Sequence, residues 1–235
     1  MPISLPRWIA HRGGGKLAPE NTLAGIRLAA RLGYRAVEFD VMLSADGTPV
    51  LIHDETLERT TNGSGLVCET PDAVLFALDA GDGERIPRFA EAAALCRELG
   101  LLANVEIKPA TGYEVATAEV VARMTADLWR EAEVPQLISS FSLVALEVAR
   151  DLAPEIRRGV LLEAPPADWL AQLQRLQAVS LHCDADLLND EVLEAARAHD
   201  IPVLCYTVNA PEQAKTLFAR GVSALFTDRL DLFAQ

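Results

Sequence analysis

Short apolar runs rich in β-branched residues recur eight times along the 235 residues, at 7–11, 36–43, 101–107, 136–140, 158–162, 178–183, 203–207 and 224–227. Stretches of helical period separate them, at 21–32, 88–99, 113–132, 143–152, 190–199 and 211–219, with weaker patterns after Ala167 and after Arg229. Such alternation builds repeated βα units around a parallel sheet, and eight units close a (β/α)8 TIM barrel. A doubly wound open sheet is the alternative, but no dinucleotide fingerprint is present to support it. Half of the residues are hydrophobic, enough for one sizeable core, so residues 1–235 are expected to form one barrel domain.

One segment breaks the rhythm. Asp46-Gly47 reads as a turn into an additional strand at 49–53, after which residues 54–87 supply no βα unit. This predicts an insertion in the second βα loop, on the face where barrel sites lie. Its Thr60-Thr61-Asn62-Gly63-Ser64-Gly65 run fits a surface turn better than a backbone cradle for phosphate.

A net charge of −13 argues against nucleic acid or an anionic membrane surface as a general partner, since both are held by clustered Lys and Arg. No stretch approaches the ~20 apolar residues of a membrane helix, and residues 1–10 lack a secretory pattern. The expectation is a soluble cytoplasmic protein. Cys68, Cys96, Cys183 and Cys205 lack paired metal or redox spacing and read as small buried hydrophobes.

Side chains two apart on a strand share a face, so Glu38 and Asp40 point one way while Val37, Phe39 and Val41 point the other. The third run repeats the device, with Asn104, Glu106 and Lys108 on one face and Val105 and Ile107 on the other. Strands ~4.8 Å apart bring Glu38, Asp40 and Glu106 to one point. Three convergent carboxylates without thiolate or imidazole suit Mg2+, Ca2+ or Mn2+ rather than zinc. The competing reading is an ion-pair network with Lys108 and Arg12. His11 and Arg12 follow the first strand, and His53 ends the additional one. Two histidines beside three carboxylates, an Arg and a Lys form a set that packing does not require. One neutral imidazole can take a proton while a protonated one gives it.

Ala10-His11-Arg12-Gly13 with Pro19-Glu20-Asn21-Thr22, Glu38-Phe39-Asp40-Val41, Leu51-Ile52-His53-Asp54 and Glu106-Ile107-Lys108 together resemble the glycerophosphodiester phosphodiesterases. Tyr206-Thr207-Val208-Asn209 and Phe226-Thr227-Asp228 extend the similarity to the end of the chain. The resemblance implies that His11 and His53 are an acid-base pair, that Glu38, Asp40 and Glu106 hold the metal, and that Arg12 and Lys108 bind phosphate. It further implies small glycerophosphodiesters as substrates, split into glycerol 3-phosphate and an alcohol. A phospholipase of the sphingomyelinase D type shares the histidine pair and metal carboxylates, but residues 54–87 show no long apolar interfacial loop. A non-catalytic barrel is the remaining alternative, opposed by the intact histidines and carboxylates.

Several residues keep two readings. Glu20 orients Arg12, contacts substrate or simply ion-pairs, and Asn21 either joins it or caps the following helix. His182 shares a strand face with Ser180 and reaches either the mouth or the core, while His199 looks structural. Tyr206 and Phe141 either wall the pocket, taking an alcohol headgroup by cation–π contact, or serve ordinary packing.

Overall fold

The structure, a computed structural model, describes residues 5–233. Strand β1 (Trp8–Ala10) leads to helix α1 (Leu23–Arg31), and β2 (Ala36–Leu43) turns into the short β3 (Pro49–Leu51). One helical turn, α2 (Asp72–Leu75), precedes α3 (Phe89–Glu98). Strict alternation then follows: β4 (Leu102–Ile107), α4 (Glu114–Leu128), β5 (Gln136–Ser140), α5 (Leu143–Leu152), β6 (Arg157–Leu162), α6 (Trp169–Leu176), β7 (Ser180–Asp184), α7 (Asp190–Ala198), β8 (Val203–Tyr206), α8 (Pro211–Arg220) and β9 (Ala224–Thr227). Neighbours run β1-β9-β8-β7-β6-β5-β4-β2, and β1 also pairs with β2 through Ala10 and Val37, so the eight parallel strands close into a (β/α)8 barrel. The open-sheet alternative therefore falls. Only β3 is antiparallel, joined to the end of β2 with Val41 opposite Leu51.

Burial follows the period of two. Val37, Phe39, Val41, Val105 and Ile107 belong to the layer between barrel and helices. Inside, Ile9, Ala36, Leu102, Leu137, Leu204 and Ala224 make an apolar floor, and the carboxylate face of β2 and β4 lies above it. All eight residues of β2 are buried, as a parallel strand covered on both faces must be.

His182 settles as a core residue. It is fully buried, its Nε2 lies 2.9 Å from Ser180 Oγ, and burial pushes the imidazole down to about 3. It is therefore neutral and does not line the mouth. Room for the ring comes from Gly159 on the neighbouring strand, where a Cβ would stand 2.5 Å from His182 Nε2 and 2.8 Å from Ser180 Oγ. His199 closes α7 at its C-terminal end.

Some local expectations need correction. The first helix begins at Leu23, capped by Thr22, whose side chain accepts from the Gly25 N–H. Asn21 is thus not the cap, because its side chain is engaged elsewhere. Helix α4 stops at Leu128, where Trp129 leaves helical backbone geometry. After Arg229 the described residues form only a turn, with Leu232 N–H donating to the Arg229 carbonyl. The stretch after Ala167 does form a helix, α6. In the insertion, Leu57, Val67, Leu75 and Ile86 pack with Met42 and Val50 as a small second core. The N–H groups of Asn62, Gly63 and Gly65 donate to Asp79, Thr61 and Glu58. None of these three is left for a phosphate, and the run is a surface turn.

Gly159→Ala should cost about 1–3 kcal/mol, the usual cost of overfilling a packed core, read as a lower urea midpoint at unchanged slope. An unshifted midpoint would mean that the His182 ring yields without cost.

Candidate active site

Every side chain singled out on the first four strands arrives at one end of the barrel. After β1 the chain turns sharply: Arg12 adopts φ 50° and Gly13 φ 75°. Left-handed backbone costs a side-chain-bearing residue of order 1 kcal/mol. Here the surroundings fix it, since the Arg12 N–H donates to Glu38 Oε2 at 2.9 Å and its carbonyl accepts the Asn21 N–H at 2.9 Å. Gly15 (φ 55°) permits the loop to lie on the last strand's end, because a Cβ there would sit 2.3 Å from the Asp228 carbonyl oxygen.

Glu38, Asp40 and Glu106 each offer an oxygen within 4.8 Å of the others and are all buried. They are the one such cluster among the described residues. Asn21 clamps Asp40 twice, donating from Nδ2 to Oδ2 at 2.9 Å and accepting the Asp40 N–H at 3.1 Å. Two cations approach: Lys108 Nζ is 3.5 Å from Asp40 and 3.6 Å from Glu106, and Arg12 Nε is 3.8 Å from Asp40. They do not suffice. Glu38 Oε1 and Glu106 Oε1 remain without hydrogen-bond partners although buried. Burial, then the charge of Asp40, pushes Glu106 up to about 8 and raises Glu38 well above the carboxylate range. Asp40 alone is lowered: burial opposes this, but Lys108 and His53 outweigh it. An all-oxygen set with two unpartnered oxygens and surplus negative charge fits a hard divalent cation, and the pure ion-pair reading does not balance.

The two histidines are each held at Nδ1 by a carboxylate. His11 Nδ1 is 2.7 Å from Asp228 Oδ1, and its Nε2 stands 3.8 Å from Glu38 Oε2. His53 Nδ1 is 2.6 Å from Asp54 Oδ1, while its Nε2 is 2.6 Å from Lys108 Nζ. Burial, aided by Lys108 against the opposing pull of Asp40, lowers the His53 pKa. Asp228 is fixed in turn by Asn209, which donates to Oδ2 at 3.0 Å. Asp54 is gripped by Arg59, whose guanidinium also bonds Glu20 at 2.8 Å, and Glu20 accepts from Arg12 at 3.0 Å. Glu20 thus joins the guanidinium groups of Arg12 and Arg59.

These groups line a cavity of about 280 Å³. His11, Arg12, His53 and Lys108 line it together with Phe141, Tyr206, Leu161 and Glu163. Phe141 and Tyr206 meet edge to face with centroids 5.9 Å apart. Asp54, Arg59, Glu163, Asn209 and Asp228 were not assigned roles from sequence. Asp54 and Asp228 each directly follow a strand-end motif and could have been picked out by that position. Arg59 and Glu163 lie in loops without a periodic signal.

An (β/α)8 barrel with a carboxylate cluster and two carboxylate-held histidines at its mouth defines a hydrolase-type site. Residues 11–232 match the Glycerophosphoryl diester phosphodiesterase family, and the chain belongs to that family. It is 33% identical to a glycerophosphodiester phosphodiesterase from Caldanaerobacter subterraneus, covering 94% of this chain and 93% of the relative. Among solved structures, an Oleispira antarctica phosphodiesterase in complex with the product sn-glycerol-3-phosphate superposes with TM-score 0.90 at 38% identity, covering 95% of this chain and 93% of that one. A glycerophosphodiester phosphodiesterase from Agrobacterium tumefaciens follows with TM-score 0.80 at 28% identity, covering 98% and 99%. Among the described residues no helix is long and apolar enough to cross a membrane.

The raised carboxylates give a test that needs no turnover. Glu106 titrates near 8 when folded against an ordinary 4.5, so without cation the folded chain keeps a proton that the unfolded chain releases. Stability from this group is full below about pH 4.5 and is lost as pH rises through about 8. Chelated protein should therefore lose melting temperature across that window relative to Glu106→Gln, and Mg2+ or Ca2+ should restore it in the parent alone. Equal pH profiles for the two proteins, or equal stabilisation by cation, would refute the cluster as a cation site.

Proposed function

We propose that the mouth cavity is the active site of a glycerophosphodiester phosphodiesterase, releasing glycerol 3-phosphate and an alcohol from small glycerophosphodiesters. The observation that carries this reading is the meeting, in one cavity, of a cation-deficient carboxylate cluster with two carboxylate-oriented imidazoles. The names of the relatives and the product held by the Oleispira antarctica structure agree with it. Glu38, Asp40 and Glu106 would hold one divalent cation, Mg2+ or Ca2+ with Mn2+ next, which when bound neutralises phosphoryl charge. Cys68, Cys96, Cys183 and Cys205 are all free thiols, which suits a reducing compartment such as the cytoplasm.

The residues divide the work by their surroundings. His53, whose pKa is lowered by burial, serves as base on the glycerol hydroxyl next to the ester oxygen. The deprotonated hydroxyl oxygen attacks phosphorus, closing the cyclic phosphate, and the P–O bond to the leaving alcohol breaks. His11, turned by Asp228 so that Nε2 faces the cavity, gives its proton to the leaving oxygen. The substrate thus supplies a nucleophile at high effective concentration. Water opens the resulting five-membered cyclic phosphate with the histidine roles exchanged. Arg12 and Lys108 stabilise the phosphoryl oxygens, Lys108 leaving its contact with His53 Nε2 as the anion enters.

His11→Ala and His53→Ala should fold yet lose about 10²–10⁴-fold in glycerol 3-phosphate release, and EDTA should abolish release by the parent. Parental turnover by either variant would remove that histidine from the reaction. Asp228→Asn should lower kcat about 10²-fold, at the low end of what acid-base catalysis supplies, with KM and melting temperature near the parent's. A parental kcat would make Asp228 a structural contact only. An ester lacking the neighbouring hydroxyl should resist hydrolysis, and its cleavage at the parental rate would point to direct attack by water.

A further inference from the structure

Opposite strands bring different chemistry to the cavity. His11 and Arg12 follow β1, and Lys108 follows β4. Half way round the barrel, four strands on in each case, stand Glu163 after β6 and Tyr206 at the end of β8. Across the mouth from Arg12, Lys108 and the Glu38–Asp40–Glu106 cluster therefore stand the Glu163 carboxylate and the Tyr206 ring, and Phe141, after β5 and so beside β4, meets Tyr206 edge to face. Glu163 is exposed to solvent at the cavity, and among the described residues none of the cations that pair with the other acidic residues of the mouth, His11, Arg12, His53, Arg59 and Lys108, pairs with it. Tyr206 is pinned, its hydroxyl donating to the Leu162 carbonyl at 2.9 Å. With that hydroxyl engaged, the Phe141–Tyr206 pair offers ring surface rather than a polar tip, although Phe141 is 43% exposed and packing does not require it there.

Ring surface with an adjacent carboxylate attracts an organic cation, because the ring quadrupole and the carboxylate act in the same sense. A neutral polyol would find no hydrogen-bonding hydroxyl on the rings. We infer that Glu163, Phe141 and Tyr206 form a headgroup subsite that selects diesters of cationic alcohols, above all alkylated ammonium alcohols such as choline. This rests on the phosphodiesterase reading for the position of the phosphate. The cavity then complements a zwitterion, phosphate on the Arg12–Lys108 side and ammonium on the Glu163 side.

Binding of free choline can be compared with that of its neutral carbon isostere, 3,3-dimethylbutan-1-ol, by NMR titration of the cation-loaded protein. Choline should bind about tenfold tighter, the scale of a partly exposed cation–π and carboxylate site. Glu163→Gln, near-isosteric at an exposed position, should reduce that preference several-fold, and Phe141→Leu should reduce it as well. In turnover, the ratio of kcat/KM for glycerophosphocholine to that for glycerophosphoglycerol should fall in the same two variants. Equal binding of choline and its isostere to the parent, or an unchanged preference in Glu163→Gln, overturns the subsite. The two readings fail separately. Glycerol 3-phosphate release without headgroup discrimination removes the subsite alone. A choline preference sensitive to Glu163 without hydrolysis of any ester supports the subsite and removes the phosphodiesterase reading.

Discussion

Three carboxylates forced together under cover of a barrel are the constraint to which the rest of the mouth responds. At 4.8 Å or less between ligand oxygens, like charges in a medium of low polarity repel by several times what they would in water. The chain supplies one backbone N–H, one amide and two cationic side chains against them, which settle Asp40 and leave oxygens of Glu38 and Glu106 unpartnered. The apolar floor beneath denies these groups the solvent that would otherwise quiet them. Without a cation the repulsion is relieved by protons kept on Glu38 and Glu106, and a divalent cation in their place would turn it into attraction.

The same demand explains the strained turn after β1 and the links that spread from it. Arg12 reaches Glu38 by its backbone and Glu20 by its side chain, and Glu20 passes the connection to Arg59 of the insertion, which holds Asp54 and thus His53. Arg59 is 46% exposed, so this chain of ion pairs adds little to overall stability. Its value is geometric. The insertion lacks a βα unit of its own, and its small core sets Asp54 and Arg59 against residues delivered by β1 and β2.

How much of this could be read beforehand depends on range. The eight strands were legible because a parallel strand buried on both faces must be an apolar run, and the carboxylates were legible because they break that pattern at a spacing of two. The weak helical pattern after Arg229 gives only a turn among the described residues. Asn21 looked like a cap by type and position, yet its amide is held by Asp40, nineteen residues away. Contacts such as His11 with Asp228, 217 residues apart, have no local trace. They exist only because closure brings the last strand beside the first. His182 kept two readings because strand parity gives a direction but not a depth, and depth was decided by the missing side chain of Gly159.

Closure also bears on how an anionic protein can take a phosphate ester. The net charge of −13 sets up a field that repels anions, but across more than about 8 Å of physiological salt solution exposed charges are largely screened. Inside the cavity the comparison is between groups within a few ångströms. There, on the proposed reading, Arg12, Lys108 and a cation held by the carboxylates would face the phosphoryl oxygens, and Glu163 the other end. A zwitterionic ester has no net charge for the outer field to oppose, so it approaches without penalty and meets opposite local fields at its two ends. A singly anionic ester would meet the same phosphate-side groups but leave the Glu163 carboxylate unmatched. Discrimination would therefore come from groups within a few ångströms inside the cavity rather than from the acidic surface, and would favour a substrate that carries its own counter-charge.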